Sequence, residues 1–162
     1  MKHQTTIDSP IGPITLIADG EALVEVRFAN APDVAADHAR PADDDPVLQR
    51  AASQLGEYFD GRRTDFDVPL DPRGTAFQLV AWDALRTIGY GETVSYGEQA
   101  RRLGDAGKAR AVGAANGRNP LPIIVPCHRV VGSNGHLTGF GGGIASKAWL
   151  LDHEKSVTAR TP

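Results

Sequence analysis

Cysteine is almost missing from this chain: of 162 residues, only Cys127 carries a thiol. One cysteine cannot form an internal disulfide, and an unpaired thiol suits a reducing compartment. It cannot build a cysteine-rich zinc site either. The histidines other than His128, namely His3, His38, His136 and His153, lie scattered without ligand spacing. Nor is there an apolar run approaching the length that spans a bilayer. The opening residues, Met1-Lys2-His3-Gln4-Thr5-Thr6, lack the apolar core of a signal peptide. These absences lead to the expectation of a cytoplasmic protein with no metal, no cofactor and no membrane partner.

Excess positive charge is also lacking, since the net charge is −3. That sum hides an asymmetry. Residues 1–75 carry 7 Lys and Arg against 14 Asp and Glu, whereas residues 76–162 carry 10 against 6. Within residues 95–131 the count is 6 against 2. The second half can therefore meet a polyanion, although so modest an excess also fits an ordinary solvated face. At this length the chain can form one good core or two small lobes.

Three β-like runs open the chain, at 3–8, 14–19 and 22–28, separated by Ser9-Pro10-Ile11-Gly12-Pro13 and Gly20-Glu21. Turn chemistry of that kind predicts an antiparallel meander. Residues 29–45 have no apolar period and read as a surface loop. Asp45-Pro46 then supplies an N-cap and a first-turn proline, and Val47, Leu48, Ala51, Ala52, Leu55, Tyr58 and Phe59 keep helical spacing. Asp43-Asp44-Asp45 reads as a solvated run beside that cap rather than a metal site. From Thr75 a second helix places Phe77, Val80, Ala81, Ala84, Leu85 and Ile88 on a core stripe. Ser95-Tyr96-Gly97-Glu98 is a capping-box pattern. A short helix to Leu103, a break at Gly104-Asp105-Ala106-Gly107 and a helix from Lys108 to Gly117 predict a helix-turn-helix over about 96–117. Leu121 to Val125 is strand-like, Ile144 to Glu154 is a closing helix with Ala148, Leu150 and Leu151 inward, and Ser156 to Pro162 is frayed. The fold class expected is α+β: a small N-terminal antiparallel sheet with a helix, packed on an α-helical C-terminal domain. The domain boundaries expected are 1–72 and 73–162.

The second helix of the helix-turn-helix is unusual for a base reader. It offers Ala109, Ala111, Gly113, Ala114 and Ala115, with a single long side chain, Arg110, near its start. Small residues permit close approach while the arginine projects, which suits a minor-groove contact with an inserted wedge better than base-edge readout. An alanine-rich helix packed in a core has the same composition.

Chemistry concentrates in Ile124-Val125-Pro126-Cys127-His128-Arg129-Val130-Val131. Thiolate is the strongest side-chain nucleophile near neutral pH, and imidazole is its usual base. Neighbours along a strand face opposite ways, so a working pair requires an irregular turn starting at Pro126, or a water between thiol and ring. A buried structural cysteine is the plainer alternative.

Pro126-Cys127-His128-Arg129, preceded by Arg110-Ala111-Val112-Gly113 and Asn119-Pro120 and followed by Thr138-Gly139-Phe140-Gly141-Gly142-Gly143, resembles the O6-alkylguanine-DNA alkyltransferases. The likeness is close from about Phe77 to Glu154. It implies direct-reversal DNA repair: the protein binds alkylated double-stranded DNA in the minor groove, flips the damaged base and takes its alkyl group onto Cys127. The resemblance makes His128 the base acting through a water, with Glu154 orienting it. Asn119 ties the helix-turn-helix to the cysteine turn, and Tyr96 donates to the guanine ring. Arg110 fills the vacated stack, with Lys108, Ala109, Ala111, Gly113 and Ser95 around it on the DNA. Phe140, Val130, Gly141 and Gly142 line the pocket, with the carbonyls of Cys127 and Val130 accepting from the exocyclic amine. Cooperative assembly along DNA is compatible with the family. The product is a thioether that nothing in the chain can reverse, so each molecule acts once. Two departures stand out: Phe140 where the family usually has tyrosine, and Asn116 where an apolar residue is common.

Three rivals differ in observable ways. Alkyltransferase-like binding proteins lack the cysteine. Cysteine hydrolases draw Cys and His from distant segments and turn over. A transcription factor would need more base-reading side chains than this helix has.

Overall fold

The structure is a computed structural model that describes residues 1–29, 39–137, 140 and 142–160. The chain divides into two compact units, Met1–Arg73 and Gly74–Pro162.

In the first unit, strands β1 (Lys2–Ile7), β2 (Ile14–Asp19) and β3 (Ala22–Phe28) form the antiparallel meander that the turn residues predict. A register shift between Ile17 and Ala18 breaks the alternation, so Leu16, Ile17 and Ala18 are all buried. The sheet is not purely antiparallel. Within the expected loop, Arg40–Pro41 forms a short strand β4 that pairs parallel with β1. Proline has no N–H to give, which confines it to such an edge.

Helix α1 (Pro46–Phe59) starts at Asp45, whose carboxylate accepts from the N–H groups of Val47 and Leu48. It packs on β2 through Leu48, Ala51, Leu55 and Tyr58. The aspartate run serves this corner: His3 Nδ1 lies 2.8 Å from Asp45, and Thr5 donates to Asp43 at 2.7 Å.

The second unit begins with α2 (Ala76–Leu85), closed by a full capping box between Thr75 and Gln78. Its inward face differs from the expected stripe. Ala81, Leu85 and the following Ile88 are buried as predicted, but Val80 is 55% exposed and Trp82 is buried instead. The indole N–H donates to the Ala115 carbonyl at 2.8 Å, and that bond brings the ring inward.

Helix α3 (Tyr96–Arg102) is capped by Ser95, while the Glu98 carboxylate pairs with Arg101 and Arg102. Gly104, at φ +91°, turns the chain where a side chain would be strained. A 3-10 turn at Ala106–Lys108 leads into α4 (Ala109–Gly117), completing the helix-turn-helix.

Residues 121–125 are not a strand. Val125 N–H donates to Leu121 O, and Ile123 has φ +74°, so the segment doubles back as a buried turn. A β-branched residue in that region is strained by about 1–3 kcal/mol. Val94–Ser95 (β5) and Val130–Val131 (β6) form a small parallel pair that the sequence did not suggest. The closing helix α5 runs from Ile144 to Arg160, past the expected fraying point, because Val157 is buried.

Candidate active site

Pro126 does start an irregular turn. Cys127–Arg129 form a single 3-10 turn, held by Cys127 N–H to Val125 O at 2.8 Å and Arg129 N–H to Pro126 O at 3.1 Å. The approach to it is fixed by Asn119. Its Nδ2 donates to Val125 O at 2.8 Å and its Oδ1 accepts from Leu121 N–H at 3.0 Å, so one amide clamps both ends of the strained loop.

Cys127 and His128 are both buried. His128 Nε2 lies 2.7 Å from Glu154 Oε2. Burial disfavours the imidazolium and lowers the pKa of His128, so the ring is neutral at rest. The proton then resides on Nε2, facing the carboxylate, and Nδ1 keeps its lone pair. That Nδ1 is buried and takes no hydrogen bond from the described residues.

Glu154 is held through both carboxylate oxygens. Oε1 accepts from Arg129 Nε at 2.9 Å and from Gly91 N–H at 3.3 Å; Oε2 accepts from His128 Nε2 at 2.7 Å and from Arg129 Nη2 at 3.0 Å. Burial alone would raise its pKa. The hydrogen bonds and charges of its two partners overcome that and bring it down to about 2. Cys127 goes the other way: burial pushes its thiol up to about 11, against the opposing pull of an Asn119 hydrogen bond and the positive charge of Lys147. The resting sulfur is therefore protonated.

Two functional-looking residues were missed in the sequence. Arg129 is buried, and besides Glu154 it donates to Ile88 O at 2.7 Å and lies 5.6 Å from the Tyr90 ring centre. Lys147 is 1% exposed, donates to Val130 O at 2.7 Å and stands 5.9 Å from the Tyr96 ring centre. Val130 O, expected to accept from the exocyclic amine of a guest base, already holds an ammonium group. Phe140 and Gly142 are half-buried beside the start of α5, with Gly143 N–H donating to Phe140 O. Gly141 lies outside the described residues.

On α4, Val112, Ala115 and Asn116 face inward, while Arg110, Ala111, Ala114 and Gly117 are exposed. Ala109 and Gly113 are half-buried, and a side chain at Gly113 would meet the Tyr96 ring. Lys108 is exposed with its ammonium 5.3 Å from the Phe77 ring centre, and the Ser95 hydroxyl oxygen caps α3. The structure thus gathers Cys127, His128, Glu154 and Asn119 around one turn, and sets Arg110 on the exposed face of the adjoining helix-turn-helix.

Comparison with known proteins bears on both units. Residues 2–72 match the 6-O-methylguanine DNA methyltransferase ribonuclease-like domain, and residues 76–156 match the DNA binding domain of the same family. The methylated-DNA–protein-cysteine methyltransferase of Mycobacterium tuberculosis is 54% identical over 96% of this chain and 94% of its own length. That of Methanosarcina acetivorans is 46% identical over 95% and 99%. Among solved structures, the M. tuberculosis O6-methylguanine methyltransferase superposes with a TM-score of 0.91 at 53% identity, covering 100% of this chain and 96% of that one. M. tuberculosis OGT in complex with DNA gives 0.88 at 54% identity, covering 96% and 94%.

Proposed function

The chain belongs to the 6-O-methylguanine DNA methyltransferase family, and on that premise we propose that it repairs O6-alkylguanine in double-stranded DNA by moving the alkyl group irreversibly to Cys127. The observation that carries the assignment of roles is the 3-10 turn. It holds a buried protonated thiol next to a neutral histidine whose Nε2–H is committed to Glu154.

His128 Nδ1 takes the thiol proton through a water, and the imidazolium so formed is balanced by ionised Glu154. The sulfur attacks the alkyl carbon in line. A C–S bond forms, the C–O6 bond breaks, and the electron pair leaves with guanine. Tyr96 supplies a hydrogen bond to the guanine ring as that charge develops. The base must leave the stack first, at a cost of a few kcal/mol. Arg110, on the exposed small-residue face of α4, takes its place in the duplex, with Ala109, Ala111, Gly113, Lys108 and Ser95 beside the minor groove.

Mass spectrometry of the intact protein and of its peptides, after incubation with an O6-methylguanine duplex, tests the reading. One methyl group per molecule, on the peptide containing Cys127, is expected. Repeated turnover, or an adduct on any other residue, overturns it. Cys127→Ala should abolish transfer and keep DNA binding.

A further inference from the structure

Deep in the helix-turn-helix two primary amides face each other. Gln99 Nε2 on α3 donates to Asn116 Oδ1 on α4 at 3.1 Å, and Asn116 Nδ2 donates back to Gln99 Oε1 at 2.8 Å. Gln99 Nε2 also reaches Ala81 O on α2 at 3.2 Å. Gln99 is 1% exposed and Asn116 is 4% exposed. Both positions could be filled by apolar side chains of similar shape, and burying two amides gains little net stability over that alternative. What a reciprocal amide pair adds is direction: it is satisfied in only one relative rotation and register of the two helices.

That register extends to the nucleophile. Asn116 O accepts from Asn119 N–H at 3.2 Å, the Asn119 side chain donates to Val125 O, and Val125 O also accepts from Cys127 N–H. An unbroken line of hydrogen bonds and backbone therefore runs from the amide pair to the cysteine turn. Asn116 is on the buried side of the helix that exposes Arg110, so a rotation of α4 at Asn116 moves that arginine.

We propose that Gln99 and Asn116 are positioning residues that lock α4 against α3, so that the DNA-contacting face and the cysteine turn stay in register while a base is extruded. This rests on the minor-groove role given above to α4 and Arg110. Reaction with a free alkylated base needs the pocket alone, whereas reaction with a duplex needs the register as well.

The experiment compares single-turnover transfer from an O6-methylguanine duplex and from free O6-benzylguanine, with thermal unfolding of each variant. Gln99→Met/Asn116→Leu replaces both amides with apolar groups of similar shape and should fold with an unchanged or higher melting temperature. Its duplex rate should fall roughly tenfold relative to its free-base rate, as expected for a small misplacement of positioned groups. Gln99→Asn/Asn116→Gln keeps two facing amides and should recover at least part of the ratio. A double apolar variant with an unchanged ratio overturns the proposal and leaves the pair as packing. Should that variant not fold, Gln99→Met alone supplies the second measurement. It removes one amide and with it both hydrogen bonds of the pair, and an unchanged ratio in it likewise overturns the proposal. Arg110→Ala is the control: if it fails to lower the same ratio, the DNA-contact reading of α4 is wrong, independently of the amide pair.

Discussion

Arg129 grips Glu154 through two parallel hydrogen bonds, Nε to Oε1 at 2.9 Å and Nη2 to Oε2 at 3.0 Å, while His128 holds the same carboxylate at 2.7 Å. The histidine therefore has a partner held ionised at neutral pH. Arg129 performs this service from within the motif that supplies the nucleophile, one residue beyond the histidine it assists.

Removing either end of this pair strands a buried charge. Arg129→Met and Glu154→Gln should each destabilise the protein by about 3–5 kcal/mol. For a chain of this size that is roughly 6–20 °C in melting temperature. The pH dependence has a defined sign. The folded pKa of Glu154 is depressed to about 2, so the unfolded state binds the proton more readily. Its stabilisation is complete above the ordinary carboxylate value and is lost as pH falls towards about 2. Thermal unfolding followed from neutral to acid pH should show a decline below about pH 4.5 that is shallower in Glu154→Gln. Identical slopes in the two proteins would disprove the linkage.

The pH profile of transfer separates two ways of making the thiolate. With the thiol pushed up to about 11, a mechanism needing spontaneous ionisation would gain about tenfold per pH unit through the alkaline range. With neutral His128 as base, the limiting group is one whose pKa lies below the usual imidazole value. Transfer should be nearly flat from about pH 7 to about pH 9 and should fall only on the acid side. Single-turnover rates at saturating duplex give the profile, and a steady alkaline rise would rule out His128 as the base.

Much of this was legible from residue types alone. Ser95, Thr75 and Asp45 announce their helices because a cap is a local event. Cys127 and His128 stand out by scarcity and adjacency. Arg129, Lys147 and Gln99 did not, because long polar side chains are ordinarily solvated and their partners lie 17 or more residues away in the chain. Helix α5 shows the difficulty most clearly. Its inward face is Lys147, Leu150, Glu154 and Val157, half of it charged, so the apolar period pointed instead to Ala148 and Leu151, which are only half-buried. The run at 121–125 failed differently: a short apolar stretch is equally strand or buried turn until Asn119 is seen to clamp it.

Lys147 offers a test of the electrostatics around the sulfur. Its charge opposes the rise in the Cys127 pKa, and its ammonium group occupies Val130 O. Lys147→Met should remove both effects. Transfer is expected to slow by roughly tenfold at neutral pH, consistent with the loss of one charged group near the reacting atoms. Lys147→Arg should retain more activity than Lys147→Met, and equal rates for the two would show that only the apolar stem matters.

Phe140, expected from the sequence to replace a tyrosine usual in the family, is half-buried, with its carbonyl tied to Gly143 at the start of α5. A tyrosine hydroxyl there would be a donor for the charge that develops on guanine O6. Losing one such donor elsewhere slows reactions by as much as about 100- to 1,000-fold. The deficit here should be smaller, because the reading proposed above gives Tyr96 as a second donor to the leaving base. Phe140→Tyr is accordingly expected to accelerate alkyl transfer by roughly tenfold or less, with little change in DNA affinity, since the hydroxyl acts on the leaving oxygen and not on the duplex. Phe140→Ala should slow transfer, on the proposal that the ring also walls the pocket against the extruded base. Single-turnover rates on saturating O6-methylguanine duplex decide between the roles. If the tyrosine variant is no faster while the alanine variant is slower, Phe140 contributes its apolar surface alone.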